Sequence, residues 1–185
     1  RVLFRSQRGL GSTSLAVPSA GGTVSVNTRA AEVDPGSGIK MSIGDNSYQK
    51  FTAFHNTGVN ELGWSSSFLL GFWQGDGWRN GMQGEGTTYA FSVGYTPRGG
   101  DHEFNFSLIG AGQWHHQAYY GTQLQDYLDY GPIQGDDYRK FNALYGDYQG
   151  EEFSILRNYY NKPLATFNWD WEISSRVTLA TSLYG

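Results

Sequence analysis

Apolar and polar residues alternate along most of the chain. In residues 88–95, Tyr89, Phe91, Val93 and Tyr95 fall on one side, and Thr88, Ala90, Ser92 and Gly94 on the other. A period of two is the mark of a strand with one apolar face. Residues 103–108 repeat it, with Phe104, Phe106 and Leu108 opposed to Glu103, Asn105 and Ser107. So do residues 165–173, where Ala165, Phe167, Trp169, Trp171 and Ile173 oppose Thr166, Asn168, Asp170 and Glu172. Residues 64–73 and 176–184 follow less strictly, and 38–44 and 47–56 read as strands of undetermined facing. A helical period shows only near 123–130. The expected class is all-β, an antiparallel meander of about seven strands.

The connections sharpen this. Between patterned runs lie residues 59–63, 74–86, 97–101, about 115–160, and 174–175, so short and long connections alternate. A transmembrane β-barrel has short turns on one side of the membrane and long loops on the other. At about 3.3 Å per residue and a tilt near 40°, roughly ten residues cross its apolar band of about 25 Å. The segment ahead of the strands differs. It carries Pro18, the pair Gly21 and Gly22, and the β-rich run 23–28, then a linker over 31–37 whose turn signal is Pro35 with Gly36.

Composition agrees with a β protein. There are 26 glycines in 185 residues, about twice the usual share of roughly 7%, and 16% of residues are aromatic. No cysteine is present, which removes disulfide frameworks, cysteine zinc sites and thiol nucleophiles. The net charge of −4, with Lys and Arg scattered, leaves no nucleic-acid footprint. The longest apolar run is only 68–73, far short of the roughly 20 residues of a transmembrane helix. Membrane strands carry a much weaker signal and are unaffected by that test.

The run 15–26, Leu-Ala-Val-Pro-Ser-Ala-Gly-Gly-Thr-Val-Ser-Val, resembles the end of the plug domain of TonB-dependent outer-membrane receptors. Residues 73–77, 113–117, 160–163 and 168–171 resemble a branch of that family common in Bacteroidota, so the resemblance extends from Gly9 to the C-terminus. It implies a partial transmembrane β-barrel, about seven strands of 22, preceded by the C-terminal end of a plug. Residues 9–30 would be the plug end, with Pro18, Gly21 and Gly22 as its motif, and 38–185 the first barrel strands. Residues 1–8 resemble translated adapter sequence and are set apart from the fold. The implied activity is not enzymatic: import of a scarce nutrient, such as a siderophore or glycan, across the bacterial outer membrane. The implied partners are outer-membrane lipid, the TonB energy-coupling complex (whose contact region would lie outside this chain) and the ligand. A glycan-binding surface lipoprotein encoded beside it would favour a glycan importer.

Residues 114–160 hold nine of the thirteen tyrosines and an excess of four negative charges, equal to that of the whole chain. Tyrosine joins a flat apolar body to a polar tip, suited to stacking on a sugar or an aromatic siderophore. Trp114, His115, His116, Tyr119, Tyr120, Tyr127 and Tyr130 are therefore candidate ligand contacts. The alternative is an extracellular loop packed by its own tyrosines. No cofactor or metal is expected. His115 and His116 are adjacent in an extended segment and point oppositely, which disfavours one shared ion, and the acids of 126–152 lack EF-hand spacing. Asp170 and Glu172 share one strand face and could flank a glycosidic bond, but a barrel would turn that face to its lumen. The second candidate function is a secreted all-β carbohydrate-binding or glycoside-hydrolase domain. The two differ in where the aromatic face goes: toward a second sheet in a sandwich, toward lipid in a barrel.

Overall fold

The computed structural model describes residues 4–7, 23–26, 28–119 and 121–185. Pro18, Gly21, Gly22 and Tyr120 lie outside them. Strand β1 (Phe4–Gln7), from the segment that sequence set apart, pairs antiparallel with β2 (Thr23–Val26). A 3₁₀ turn, Ala30–Glu32, leads to β3 (Gly36–Ile43), β4 (Gln49–Asn56), β5 (Trp64–Gly75), β6 (Gly84–Tyr95), β7 (His102–Gly110) and β8 (Gln113–His116). Helix α1 (Leu124–Gln134) and a 3₁₀ turn, Tyr138–Lys140, follow. After them come β9 (Tyr145–Tyr148), β10 (Glu151–Ser154), β11 (Arg157–Tyr160), β12 (Leu164–Ser174) and β13 (Val177–Tyr184).

The class is all-β and antiparallel, with 54% strand. The main sheet runs β13-β12-β7-β6-β5-β4-β3, the expected seven-strand meander. Its ends do not meet, so β3 and β13 are edges. Short β8 pairs with both β6 and β11, continuing β7 past residues 111–112, and β11 in turn leads into β12. Two connections differ from the sequence expectation. The link between β5 and β6 shrinks to residues 76–83, because Gly84 and Gly86 pair with Gly75 and Trp73. The 115–160 segment gives its ends to β8 and β11 and folds between them into α1 and a β9–β10 hairpin. At the short-turn end, Thr96 N–H donates to Gly63 O at 2.9 Å. Gly63 stands at φ 84°, and a Cβ there would collide with the Thr96 carbonyl, so the approach needs glycine.

Burial is inverted relative to a water-soluble domain. The register aligns Phe68, Phe91 and Leu108 across β5, β6 and β7, and Val93, Phe106, Phe167 and Leu183 from β6 to β13. Phe91 is 44% exposed, Phe106 42% and Phe167 38%, and among the described residues no second sheet covers them. Tyr89, Phe104 and Trp169, expected on the same open face, are on it but half-buried. Tyr89 lies over Gly110, and Phe104 and Trp169 stack on each other at 6.2 Å. Ser65, Ser92, Asn105 and Ser107 on the opposite face are buried instead. Among the described residues, buried apolar side chains are confined to Ala30, Ala118 and Phe141.

At the short-turn end the open face ends in an aromatic row. Trp64, Tyr95, Phe104 and Trp169 are cross-strand neighbours on β5, β6, β7 and β12. Trp64 stacks on Tyr95 at 4.4 Å, and Trp169 on Trp171 at 6.2 Å. Trp169 Nε1–H donates to His102 Nδ1 at 3.3 Å.

Candidate functional site

The polar face is organised by a strap, residues 28–30. Ala30 N–H donates to Asn105 Oδ1 at 3.2 Å, and Ser92 Oγ–H donates to the same oxygen at 3.0 Å. Asn105 Nδ2 donates to Ser107 Oγ at 2.9 Å, and Ser107 Oγ contacts Thr28 Oγ1 at 3.0 Å. Buried polar groups with partners are tolerable where unpaired ones would not be. Beside them the Arg29 guanidinium bonds Glu103 at 3.1 Å and also Asp170. The carboxylate pair considered from sequence is thus divided: Asp170 holds the strap, while Glu172 is exposed nearer the β12–β13 turn.

At the opposite end of the same face lies a cavity of about 370 Å³ lined by Asp45, Tyr48, Trp73, Met82 and His115 over glycine backbone. Tyr48, Trp73 and His115 each pack where a neighbour lacks a side chain. A Cβ on Gly75 would stand 3.3 Å from Tyr48, one on Gly86 2.6 Å from Trp73 Nε1, and one on Gly84 2.7 Å from His115 Cβ. His115 is the expected site residue that reaches this cavity. Tyr48 and Trp73 were missed, although a signal existed: Trp73 falls on the opposite parity from Phe68, Leu70 and Phe72.

Trp114 and His116 serve the frame of the site. Trp114 Nε1–H donates to Glu85 Oε1 at 3.0 Å, and the Arg157 guanidinium lies over its ring at 5.1 Å. His116 is 4% exposed. Its Nδ1 bonds Gly81 O at 3.0 Å, and its Nε2 accepts from Arg157 Nε–H at 2.9 Å. That pair assigns the proton to Nδ1. Burial lowers the His116 pKa from 6.5, as do the charges of Arg157 and His115, while the Gly81 carbonyl opposes the shift. Among the described residues, no three His, Cys, Asp or Glu side chains converge on a point where a metal could sit.

The tyrosine-rich insertion packs on itself. Gln123 and Asp126 form a capping box at the start of α1, with Gln123 N–H donating to Asp126 Oδ2 at 2.9 Å. Tyr127 meets Phe141 edge-on at 5.7 Å, with Arg79 over its ring. Tyr130, one turn along the same face of α1, stacks against the same Phe141 at 6.2 Å and 25°. Asn142 is fully buried and pins the insertion to the β5–β6 connection and to the chain just past β8: its Nδ2 donates to Asn80 O at 2.9 Å and Gln117 O at 3.3 Å. Tyr119 and Tyr130 remain exposed on a cleft of about 530 Å³. Of the tyrosines expected to meet ligand, Tyr127 is therefore spent on packing, and Tyr119 and Tyr130 are presented to solvent. No protein family, curated protein or solved structure matches this chain.

Proposed function

We propose that the chain belongs to a TonB-dependent outer-membrane receptor, spanning the plug end and the first seven barrel strands, and that it serves active nutrient import. The inverted burial carries this: a sheet whose aromatic face is open and whose serine and asparagine face is covered suits lipid outside and a plugged lumen inside. The aromatic row of Trp64, Tyr95, Phe104 and Trp169 sits where a barrel has its interfacial girdle on the short-turn side. The edges β3 and β13 would pair with further strands of the same barrel, since open edges are not sustained in lipid. The strap at 28–30 is the exit of the plug. The cavity of Tyr48, Trp73 and His115 and the insertion above it form the ligand vestibule on the outer side.

This chain has no cysteine, so single cysteines placed in it report cleanly once any cysteine elsewhere in the receptor is replaced. An environment-sensitive dye at positions 91, 106 and 167 of the full-length receptor in outer-membrane vesicles should emit as in lipid. The dye at 52 and 88, on the polar face, should emit as in a hydrated site. Ligand accumulation by cells should stop when the TonB complex is deleted, while surface binding persists. A soluble monomer with all five positions in water would overturn the proposal.

A further inference from the structure

The open aromatic face carries a groove at its long-loop end. Glu85 lies ten residues along β6 from Tyr95 and shares its parity; it pairs with Trp114 of β8, and Trp114 with Tyr159 of β11. Ten residues at about 3.3 Å and a tilt near 40° span roughly 25 Å, the height of the apolar band of a membrane barrel. With the Trp64–Tyr95 row at one border of that band, Trp114 and Tyr159 stand at the other, the level of lipid headgroups. The groove beside them has a volume of about 340 Å³ and is lined by Phe72, Thr87, Gly112, Trp114, Tyr159 and Asn161. Gly112 keeps it open, since a Cβ there would come to 3.6 Å from both Thr87 Oγ1 and Asn161 Oδ1. Toward the midplane the same face continues in Leu70, Phe68, Phe91 and Leu108.

A cation is fixed at the upper end of this groove. Arg157 is exposed, and its guanidinium lies over the Trp114 ring at 5.1 Å. Its Nε–H donates to His116 Nε2 at 2.9 Å and its Nη1–H to Tyr159 Oη at 3.1 Å. Those contacts hold the guanidinium in place before any ligand arrives, which lowers the ordering cost of binding. Its other N–H donors make no hydrogen bond among the described residues. The neighbouring carboxylate, Glu85, is turned to the indole and accepts from Trp114 Nε1–H at 3.0 Å. Among the described residues it forms no ion pair with Arg157. A guanidinium fork at headgroup height is suited to the oxygens of a phosphate. The apolar groove leading down from it is suited to the chain of the same molecule, so the two features together select an amphiphile.

We propose that the groove under Arg157 and Trp114 binds one phosphate-bearing lipid of the outer leaflet, its phosphate on Arg157 and an acyl chain along Phe72 and Gly112. This rests on the import function for placing the open face in lipid. The test is native mass spectrometry of the detergent-solubilised full-length receptor, titrated with lipid A and with lipid A stripped of its phosphates. One lipid A should stay bound, and removing its phosphates should weaken binding about tenfold. Arg157→Gln should weaken lipid A by a similar factor and abolish the difference between the two lipids, because the phosphate and the guanidinium act as a pair. Gly112→Leu fills the groove without altering the charge and should weaken both lipids about fivefold. It keeps the result readable if Arg157→Gln loosens β11. Equal binding of the two lipids, a phosphate preference that survives Arg157→Gln, full affinity in Gly112→Leu, or displacement of lipid A by inorganic phosphate would overturn the inference. Those outcomes in a receptor that still inserts in the outer membrane leave the import function intact. A water-soluble monomer that binds neither lipid would remove the import function and this site together.

Discussion

Phe91→Arg places a charge near the middle of the open face. Phe91 lies four residues along β6 from Tyr95 in the aromatic row, between Phe68 and Leu108 on the neighbouring strands. Four residues at about 3.3 Å and a tilt near 40° raise it roughly 10 Å above that row, close to the midplane of an apolar band of about 25 Å. Arg at the midplane of a barrel costs about 2–4 kcal/mol, or about 30- to 700-fold in the folding equilibrium. With a urea slope of about 2 kcal/mol per molar, the midpoint falls by about 1–2 M. The comparison is Thr88→Arg on the polar face, opposite Gly71, which has no side chain to displace. It should cost under about 1 kcal/mol, the range of surface changes. Ser92 cannot serve as that control, because it is 5% exposed and bonded to Asn105. Urea unfolding of the full-length receptor in lipid vesicles, followed by tryptophan emission, measures both. Equal shifts, or a larger loss from Thr88→Arg, would refute the assignment of faces.

Three further outcomes are expected. Asn105→Ala leaves the buried Ala30 N–H without its acceptor, a loss of about 1–3 kcal/mol. Trypsin cleavage after Arg29 should accelerate about 5- to 150-fold, and an unchanged rate would show that Asn105 does not anchor the strap. Replacing residues 121–154 with a short Gly-Ser turn keeps His116 and Arg157 and should preserve membrane insertion while ligand uptake falls; normal uptake would remove the insertion from the vestibule. Because the His116 pKa is lowered on folding, its contribution is full above pH 6.5 and is lost as pH falls through the lower folded value. Protection of the 157–160 amides, measured relative to their intrinsic exchange rate at each pH, should therefore fall between pH 7.5 and 5, and His116→Gln should flatten that dependence.

Strand parity was legible because a pleated backbone sends successive side chains to opposite faces wherever it goes. Thus Phe91 with Phe106 and Phe167, and Ser92 with Asn105 and Ser107, could be sorted before any pairing was known, and the alternating connection lengths ordered the meander. Segments without an apolar alternation were not legible. Gly84 and Gly86 entered β6, and Gln113 to His116 formed β8, only because neighbouring strands offered backbone partners. Strand-length hydrogen bonding there is supplied from outside the segment. Parity also left open which of Tyr119, Tyr127 and Tyr130 would be used up in packing. That depended on Phe141 arriving beneath α1 and Asn142 reaching Asn80, contacts set by how the insertion closes on itself.

Which face would be covered was likewise a tertiary decision. Alternation defines two faces but not their surroundings. The serine and asparagine face became the buried one when residues 28–30 crossed it, joining Ala30 to Asn105 and Arg29 to Asp170 over 75 and 141 positions of sequence. No local pattern encodes a bond of that separation, since each partner is satisfied equally well by water until the chain brings the two together.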